Sequence, residues 1–305
     1  MKNSFKKVLK LVPLSLFLLT MDQVVNSQIQ HEYLANDITT LDSFINVKNI
    51  RSNVVLTSFG LDAITAIKTQ EGIVVIDAGI ATGITQRIRH VIEYEFHSNG
   101  FKYLINTHYH PDHYGGNSVF DEAEIVGHKN GLYEIADQWE DTAKAINRLT
   151  KIVSEYELAL QASELTKAEW IESITQKTRY SSALVDAQSG YKILEPAITF
   201  EDSLQIELGE LKFEMIYFGK CHSNSDILIY IPELKILFTG DLVFKYGRPS
   251  IVYPQSDEKE KWIRAIDWIE KRIPEIETVI TGHGVILTTE DIKSFNQKIM
   301  EIGLN

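Results

Sequence analysis

The sequence has a single cysteine, Cys221, in 305 residues, so no intrachain disulfide can form and stability must come from packing or bound metal. Positive charge is also scarce. Lys and Arg number 30 against 42 Asp and Glu, a formal net charge of −12. So acidic a chain is poorly suited to gripping a phosphate backbone or an anionic membrane surface, which removes nucleic acid from the expected partners. Proline is sparse, at 7 residues, and residues 129–190 contain none. The apolar run from Leu11 to Met21 is broken by Pro13, Ser15 and Thr20. It falls short of the roughly 20 apolar residues of a membrane span. What is present is ordinary globular composition, 44% hydrophobic and 24% charged, with length enough for one large domain or two modest ones.

The first residues read as an address rather than as fold. Lys2, Lys6, Lys7 and Lys10 precede the apolar run with no acid among them, and Val25-Asn26-Ser27 then offers small residues at the minus-three and minus-one positions. This three-part pattern is that of a secretory signal peptide, residues 1–27, cleaved after Ser27. The expected mature protein, residues 28–305, is secreted or periplasmic, with no stable membrane anchor.

Residues 53–59, 63–69 and 72–77 read as consecutive strands rich in Val, Ile and Thr. Residues 82–98 have helical spacing, and 102–106 and 124–127 read as strands. Residues 129–190 change character: they are rich in Glu, Lys, Gln and Ala, and at least two helices are expected there. Thr166-Lys-Ala-Glu169 has the form of a capping box. Strand-like segments resume at 198–200, 203–208, 211–217, 226–231 and 235–239, then a helix at 257–272, a strand at 277–281 and a helix at 289–301. The order suggests two sheets with helices outside them, and a helical insertion at about 129–190 between the halves.

The chemistry concentrates at Thr107-His108-Tyr109-His110-Pro111-Asp112-His113, directly after a strand and followed by Gly115-Gly116-Asn117. Imidazole and carboxylate together suit zinc or a similar divalent ion. Four donors this close cannot all serve one tetrahedral ion. Dividing them is easier, with His108 and His110 toward one ion and Asp112 and His113 toward another. Three more donors stand where later apolar strands end: His222, Asp241 after Ile236-Leu-Phe-Thr-Gly240, and His283 after Val279-Ile-Thr-Gly282.

With these blocks in order, the chain resembles the metallo-β-lactamase superfamily over roughly residues 50–290. The HxHxDH stretch His108–His113 is highly specific to it, and Gly219-Lys-Cys-His222, Thr239-Gly240-Asp241 and Thr281-Gly282-His283-Gly284 follow. The resemblance implies an α/β fold, an αββα sandwich of two mixed β-sheets with outer helices. It implies one metal on His108, His110 and His222, a second on Asp112, His113 and His283, and Asp241 bridging them. The expected cofactor is two Zn2+ per chain, with iron or manganese as the other candidates. Asp77, in Val74-Val-Ile-Asp-Ala-Gly79, matches the superfamily's early Asp-x-Gly block, which orients ligands rather than binding metal. Two neighbouring cations activate a water for attack, and Asp112 is the candidate to pass a proton to the leaving group.

Departures from the superfamily's better-known members narrow the expectation. The best-known β-lactamase subclass carries a Cys ligand where this chain has Asp241, and Cys221 lies beside His222 instead. A bridging Asp is more like glyoxalase II, lactonases and alkylsulfatase-like hydrolases. Quorum-quenching lactonases carry Tyr three residues after that Asp; here the residue is Phe244, and Tyr246 is out of register. The leading expectation is an exported metal-dependent hydrolase of a small ester, lactone, amide or sulfate-type substrate. The competing expectations are β-lactam hydrolysis and a mononuclear-iron oxidoreductase like the persulfide dioxygenases.

Other polar residues have blander readings. Cys221 is expected to be buried beside the site, His128 to sit in a surface turn, and His31, His90 and His97 to face solvent. Trp139, Trp170, Trp262 and Trp268 are expected in the core, and Lys245 and Arg248 are candidate anchors for an anionic group. The insertion is expected to cover the mouth of the site, with Leu149, Ile152, Val153 and Tyr156 as its apolar face.

Overall fold

The computed structural model describes residues 42–301 apart from 140–141, 163, 192, 244 and 246–257. The signal-peptide reading, His31, Phe244, Tyr246 and Arg248 lie outside the described residues. The body of the protein begins at Ile45, and of residues 1–44 only the 3-10 turn Asp42–Phe44 is described.

The body is built on two mixed sheets. The first holds β1 (Asn46–Arg51), β2 (Val54–Phe59), β3 (Asp62–Lys68), β4 (Ile73–Ile76), β5 (Phe101–Ile105), β6 (Glu124–His128) and β7 (Ile198–Phe200), in chain order. It is antiparallel as far as β4 and parallel from β4 to β7. The second holds β8 (Ser203–Leu208), β9 (Leu211–Tyr217), β10 (Ile227–Ile231), β11 (Ile236–Phe238), β12 (Thr278–Ile280) and β13 (Ile286–Leu287), in the order β13-β12-β11-β10-β9-β8. Only its β11 and β12 are a parallel pair.

The sheets face each other across one core, where Leu56, Ile67, Val74 and Ile76 of the first meet Phe213, Met215, Ile229 and Phe238 of the second. Strands covered on both faces have no wet side, which is why β2 to β4 read as nearly unbroken apolar runs. Helix α1 (Thr82–Phe96) buries Ile84, Ile88, Ile92 and Phe96, a stripe at helical spacing, and touches β2 and β3 of the first sheet. Helices α6 (Glu258–Arg272) and α7 (Thr289–Glu301) cover the second sheet, with Trp262, Ile266, Ile269 and Phe295 packed on Leu228 and Leu237. The architecture is the αββα sandwich. A one-turn helix, α2 (Pro111–Tyr114), sits within the His-rich loop.

The stretch between β6 and β7 forms helices α3 (Gly131–Trp139), α4 (Thr142–Leu160) and α5 (Lys167–Ser189), so three helices stand where at least two are expected. The capping box closes as expected: Glu169 N–H donates to Thr166 Oγ1 at 3.2 Å and Thr166 N–H to the Glu169 carboxylate at 2.9 Å. Leu149 of α4 and Ala183 and Ala187 of α5 pack on Ile80 and Ala81, just ahead of α1. Of the expected α4 face, Leu149 is buried, while Ile152, Val153 and Tyr156 are half-buried.

The edge strands β1 and β13 had no clear signal. β1 is exposed for most of its length and lacks an apolar alternation, and β13 is too short to show one. Two side-chain readings are corrected. His128 is buried, not in a surface turn; its ring stacks on Tyr217 at 3.7 Å and Nε2–H donates to Glu201 O at 2.6 Å. Trp170 is 42% exposed and not in the core, whereas Trp262 is fully buried.

Candidate metal centre

The chemistry-bearing residues follow strand ends. Asp77 succeeds β4, His108 succeeds β5, Asp241 succeeds β11 and His283 succeeds β12, while His222 lies in the loop after β9. The structure brings His108, His110, Asp112, His113, His222, Asp241 and His283 together. Their ligand atoms form the groups His108/His110/His222, His108/His113/Asp241 and Asp112/His113/His283, each with all its atoms within 4.8 Å of one another. The middle group shares a residue with each of the others, so the set is continuous.

The donor geometry is not that of an ordinary hydrogen-bond network. His110 Nδ1 lies 3.1 Å from His108 Nε2 and 3.0 Å from His222 Nε2. One ring nitrogen offers either one proton or one lone pair, so it cannot satisfy two such neighbours. His113 Nδ1–H donates to Asp77 Oδ2 at 2.9 Å, and His283 Nδ1–H to Leu61 O at 2.6 Å. Those bonds leave Nε2 of each ring facing the site, the arrangement typical of metal-binding histidines. His283 Nε2 stands 3.1 Å from Asp241 Oδ2 and His113 Nε2 stands 3.7 Å from it, so a proton or a cation must lie between. Two buried atoms, His113 Nε2 and Asp241 Oδ1, have no hydrogen-bond partner among the described residues. A divalent cation supplies what both lack, and this donor set fits one or two such ions.

Electrostatics divides the ligands. Burial lowers His108 and His110, and lowers His222 to about 4, so these rings are neutral and ready as donors. Burial also acts to lower His113, but the Asp112, Asp77 and Asp241 carboxylates outweigh it and raise that ring well above its ordinary value. Burial acts to raise Asp241, and His113 and His283 overcome it and hold the carboxyl well below the usual range.

The support is specific. Asp77 has a left-handed backbone, φ 60°, costly for a non-glycine residue. That turn aims its carboxylate at Thr107 N–H (2.7 Å), Thr107 Oγ1–H (2.8 Å) and His113 Nδ1–H, which joins the ends of the parallel pair β4 and β5. Gly282 is required by space: a Cβ there would fall 2.5 Å from Asp241 Oδ1 and 2.7 Å from His113 Cε1.

Three contributors escaped the sequence reading. Arg179 of α5 is buried and donates to Asp62 Oδ1 at 2.5 Å, with a guanidinium nitrogen 3.7 Å from Asp112 Oδ2. Asp62 opens β3. Glu134 of α3 accepts from Asn224 N–H at 2.8 Å and from the Ser225 hydroxyl, while Ser225 Oγ accepts Tyr109 N–H at 3.2 Å. Arg179 had a faint signal, a charge on the stripe Gln176, Arg179, Ala183, Ala187 that α5 buries. Lys245, a candidate anchor, pairs with Asp291 at 3.5 Å.

Comparison with known proteins agrees with the site. The metallo-beta-lactamase superfamily model matches residues 63–283, a span from β3 to His283. The chain belongs to the metallo-beta-lactamase superfamily. A type 2 metallo-beta-lactamase of Bacillus cereus is 23% identical over 294 residues, 94% of each chain. One from Bacteroides fragilis is 28% identical over 102 residues, 33% of this chain and 41% of that one. Among solved structures, a metallo-beta-lactamase from Pontibacter korlensis aligns with TM-score 0.54 at 18% identity, over 84% of this chain and 99% of that one. A stereoselective inverting sec-alkylsulfatase from Pseudomonas sp. aligns with TM-score 0.62 at 14% identity, over 83% of this chain and 40% of that one. The chain is therefore an enzyme, a hydrolase of the metallo-beta-lactamase superfamily with a His and Asp cluster for metal ions. Cys221 takes no part in that cluster: it is 3% exposed in the core beneath α6, and burial pushes its thiol far up.

Proposed function

We propose that this protein is an exported dinuclear-zinc hydrolase of a small ester, lactone, amide or sulfate-type substrate, with residues 1–27 removed on export. The observation that carries the reading is the seven-residue donor set, in which His113 Nε2 and Asp241 Oδ1 are buried without hydrogen-bond partners among the described residues. His108, His110 and His222 would hold one ion, Asp112, His113 and His283 the other, and Asp241 both. Bound there, the ions supply Lewis acidity and a nucleophilic water at neutral pH. The chain's own residues do the rest. Asp77 and the Leu61 carbonyl fix the ring orientations of His113 and His283. The Asp112 side chain is 27% exposed, the most open of the site's carboxylates, and would pass a proton to a departing group.

The test is metal analysis and a substrate panel on protein purified with residues 1–27 removed. Two zinc ions per chain with turnover of an ester, lactone, thioester or sulfate ester supports the reading. One redox-active iron per chain with persulfide oxidation overturns it. Sequencing the amino terminus of exported protein tests cleavage after Ser27.

A second reading, β-lactam hydrolysis, draws on the relatives called type 2 metallo-beta-lactamases, one of which aligns over 94% of this chain. Asp241 at the expected Cys position weighs against it. Hydrolysis of a chromogenic cephalosporin at a rate comparable to the best panel ester would favour the second reading.

A further inference from the structure

A cavity of about 210 Å3 opens between the metal centre and the insertion. Pro111 and Asp112 of the His-rich loop, Ile80, Leu149 of α4 and Ala183 of α5 are among the residues that line it. Arg148 stands exposed at its rim. The insertion thus builds a compartment that meets the centre at one ligand candidate, Asp112.

The polar groups in the wall are largely spent on the protein. Both oxygens of Asp186 are taken by Thr82: Oδ2 accepts its N–H at 2.8 Å and Oδ1 its hydroxyl at 2.6 Å. The Tyr191 hydroxyl accepts Ser118 N–H at 3.4 Å. Tyr180 lies in the wall with its ring parallel to that of Tyr156, their centroids 6.1 Å apart. What faces the interior is mainly hydrocarbon, from Ile80, Leu149, Ile152 and Ala183. A dry apolar cavity of about 150 Å3 takes up benzene, so this space suits a phenyl ring or a short alkyl chain.

We propose that this cavity is the subsite for an apolar group of the substrate, of phenyl or short-alkyl size, attached next to the bond cleaved beside Asp112. The proposal rests on the hydrolase reading and narrows it: the substrate is an amphiphile whose reactive group meets the metal centre while its hydrocarbon enters the insertion. A natural substrate lacking such a group, or carrying a charged one in its place, would leave the cavity unused.

Two measurements separate the cavity from the chemistry. The first is calorimetric titration of the zinc-loaded protein with straight-chain 1-alkanols from ethanol to hexanol, which requires no turnover. Affinity should rise about fourfold per added methylene, the equivalent of ~0.8 kcal/mol for each buried CH2. In Ala183→Phe the added ring occupies the space, and the dependence on chain length should vanish. The second is kcat/KM on 4-nitrophenyl acetate, butyrate and hexanoate, expected to climb with chain length in the wild type, chiefly through KM, and to stay flat in Ala183→Phe. Leu149→Ala serves if Ala183→Phe does not fold; it enlarges the same space and should move the preference to longer chains. Alkanol binding that ignores chain length, or that survives Ala183→Phe unchanged, overturns the proposal. So does ester turnover that is equally fast at every length. Absence of turnover across the whole panel sinks the hydrolase reading instead, and the alkanol titrations then decide the cavity by themselves.

Discussion

The buried guanidinium of Arg179 stands between two carboxylates, 2.5 Å from Asp62 Oδ1 and 3.7 Å from Asp112 Oδ2. It belongs to the insertion, Asp62 to the first sheet and Asp112 to the candidate metal centre, so one side chain ties all three together. Burial acts to raise Asp62, Arg179 opposes it, and the net shift is upward. Arg179→Met would leave Asp62 buried with no counter-charge. Breaking a buried pair from one side costs about 3–5 kcal/mol, and urea unfolding should register a loss of that order. Arg179→Lys keeps the charge but not the planar fork, and should fall between Met and wild type. Equal stability of all three proteins would show that the pair does no structural work.

Asp77→Asn probes the orientation of a ligand rather than the ligand itself. The carboxylate accepts from Thr107 N–H, Thr107 Oγ1–H and His113 Nδ1–H. An amide of the same shape cannot accept at both of its ends, so the His113 ring loses its anchor or Thr107 loses its own. Loss of such outer partners typically weakens metal binding about 10–100-fold. Competition with a chromogenic chelator measures that change, while circular dichroism checks that the fold persists. Zinc affinity within a factor of two of wild type would contradict the assigned role.

Cys221 should be chemically silent in the folded protein. It is 3% exposed, and burial pushes its thiol far above the ordinary range, so almost no thiolate is present to react. Ellman's reagent at pH 8 should titrate none of it in the native state and one thiol per chain in guanidinium chloride. Cys221→Ala should leave the metal content unchanged. A fall in bound metal would place sulfur at the site after all.

The sandwich was legible because strands buried on two faces spell themselves as apolar runs, as Val54-Val-Leu and Ile73-Val-Val-Ile do. The donors were legible because ligands cluster at strand ends, and His108, Asp241 and His283 each close such a run. What stayed hidden depends on contacts between segments distant in sequence. Arg179 and Asp62 are 117 residues apart, and Glu134 reaches Ser225 across 91 residues, so nothing local marks either pair. His128 was misread for the same reason: its burial comes from Tyr217, which lies on a strand of the other sheet.

Asp226 gives the protein a pH dependence whose sign can be worked out. Burial pushes this carboxyl up to about 8, against the pull of the Ser223 N–H and hydroxyl that it accepts at 2.6 and 3.0 Å. In the unfolded chain it titrates near 3.8, the ordinary value for an aspartate. Between those values the folded protein holds a proton that the unfolded chain has released. Folding is therefore favoured at the acid end, and the contribution of this group is lost as pH rises through about 8. Asp226→Asn keeps an acceptor for the Ser223 N–H, turns its other end into a donor toward Ser223 Oγ, and removes the titration. The melting temperature of the wild type should fall relative to that of the variant from pH 6 to pH 9, by an amount on the order of several degrees. The comparison is made between proteins at each pH, so groups common to both cancel. Parallel profiles for the two proteins would mean that Asp226 is ionised throughout and that its neighbours hold the charge.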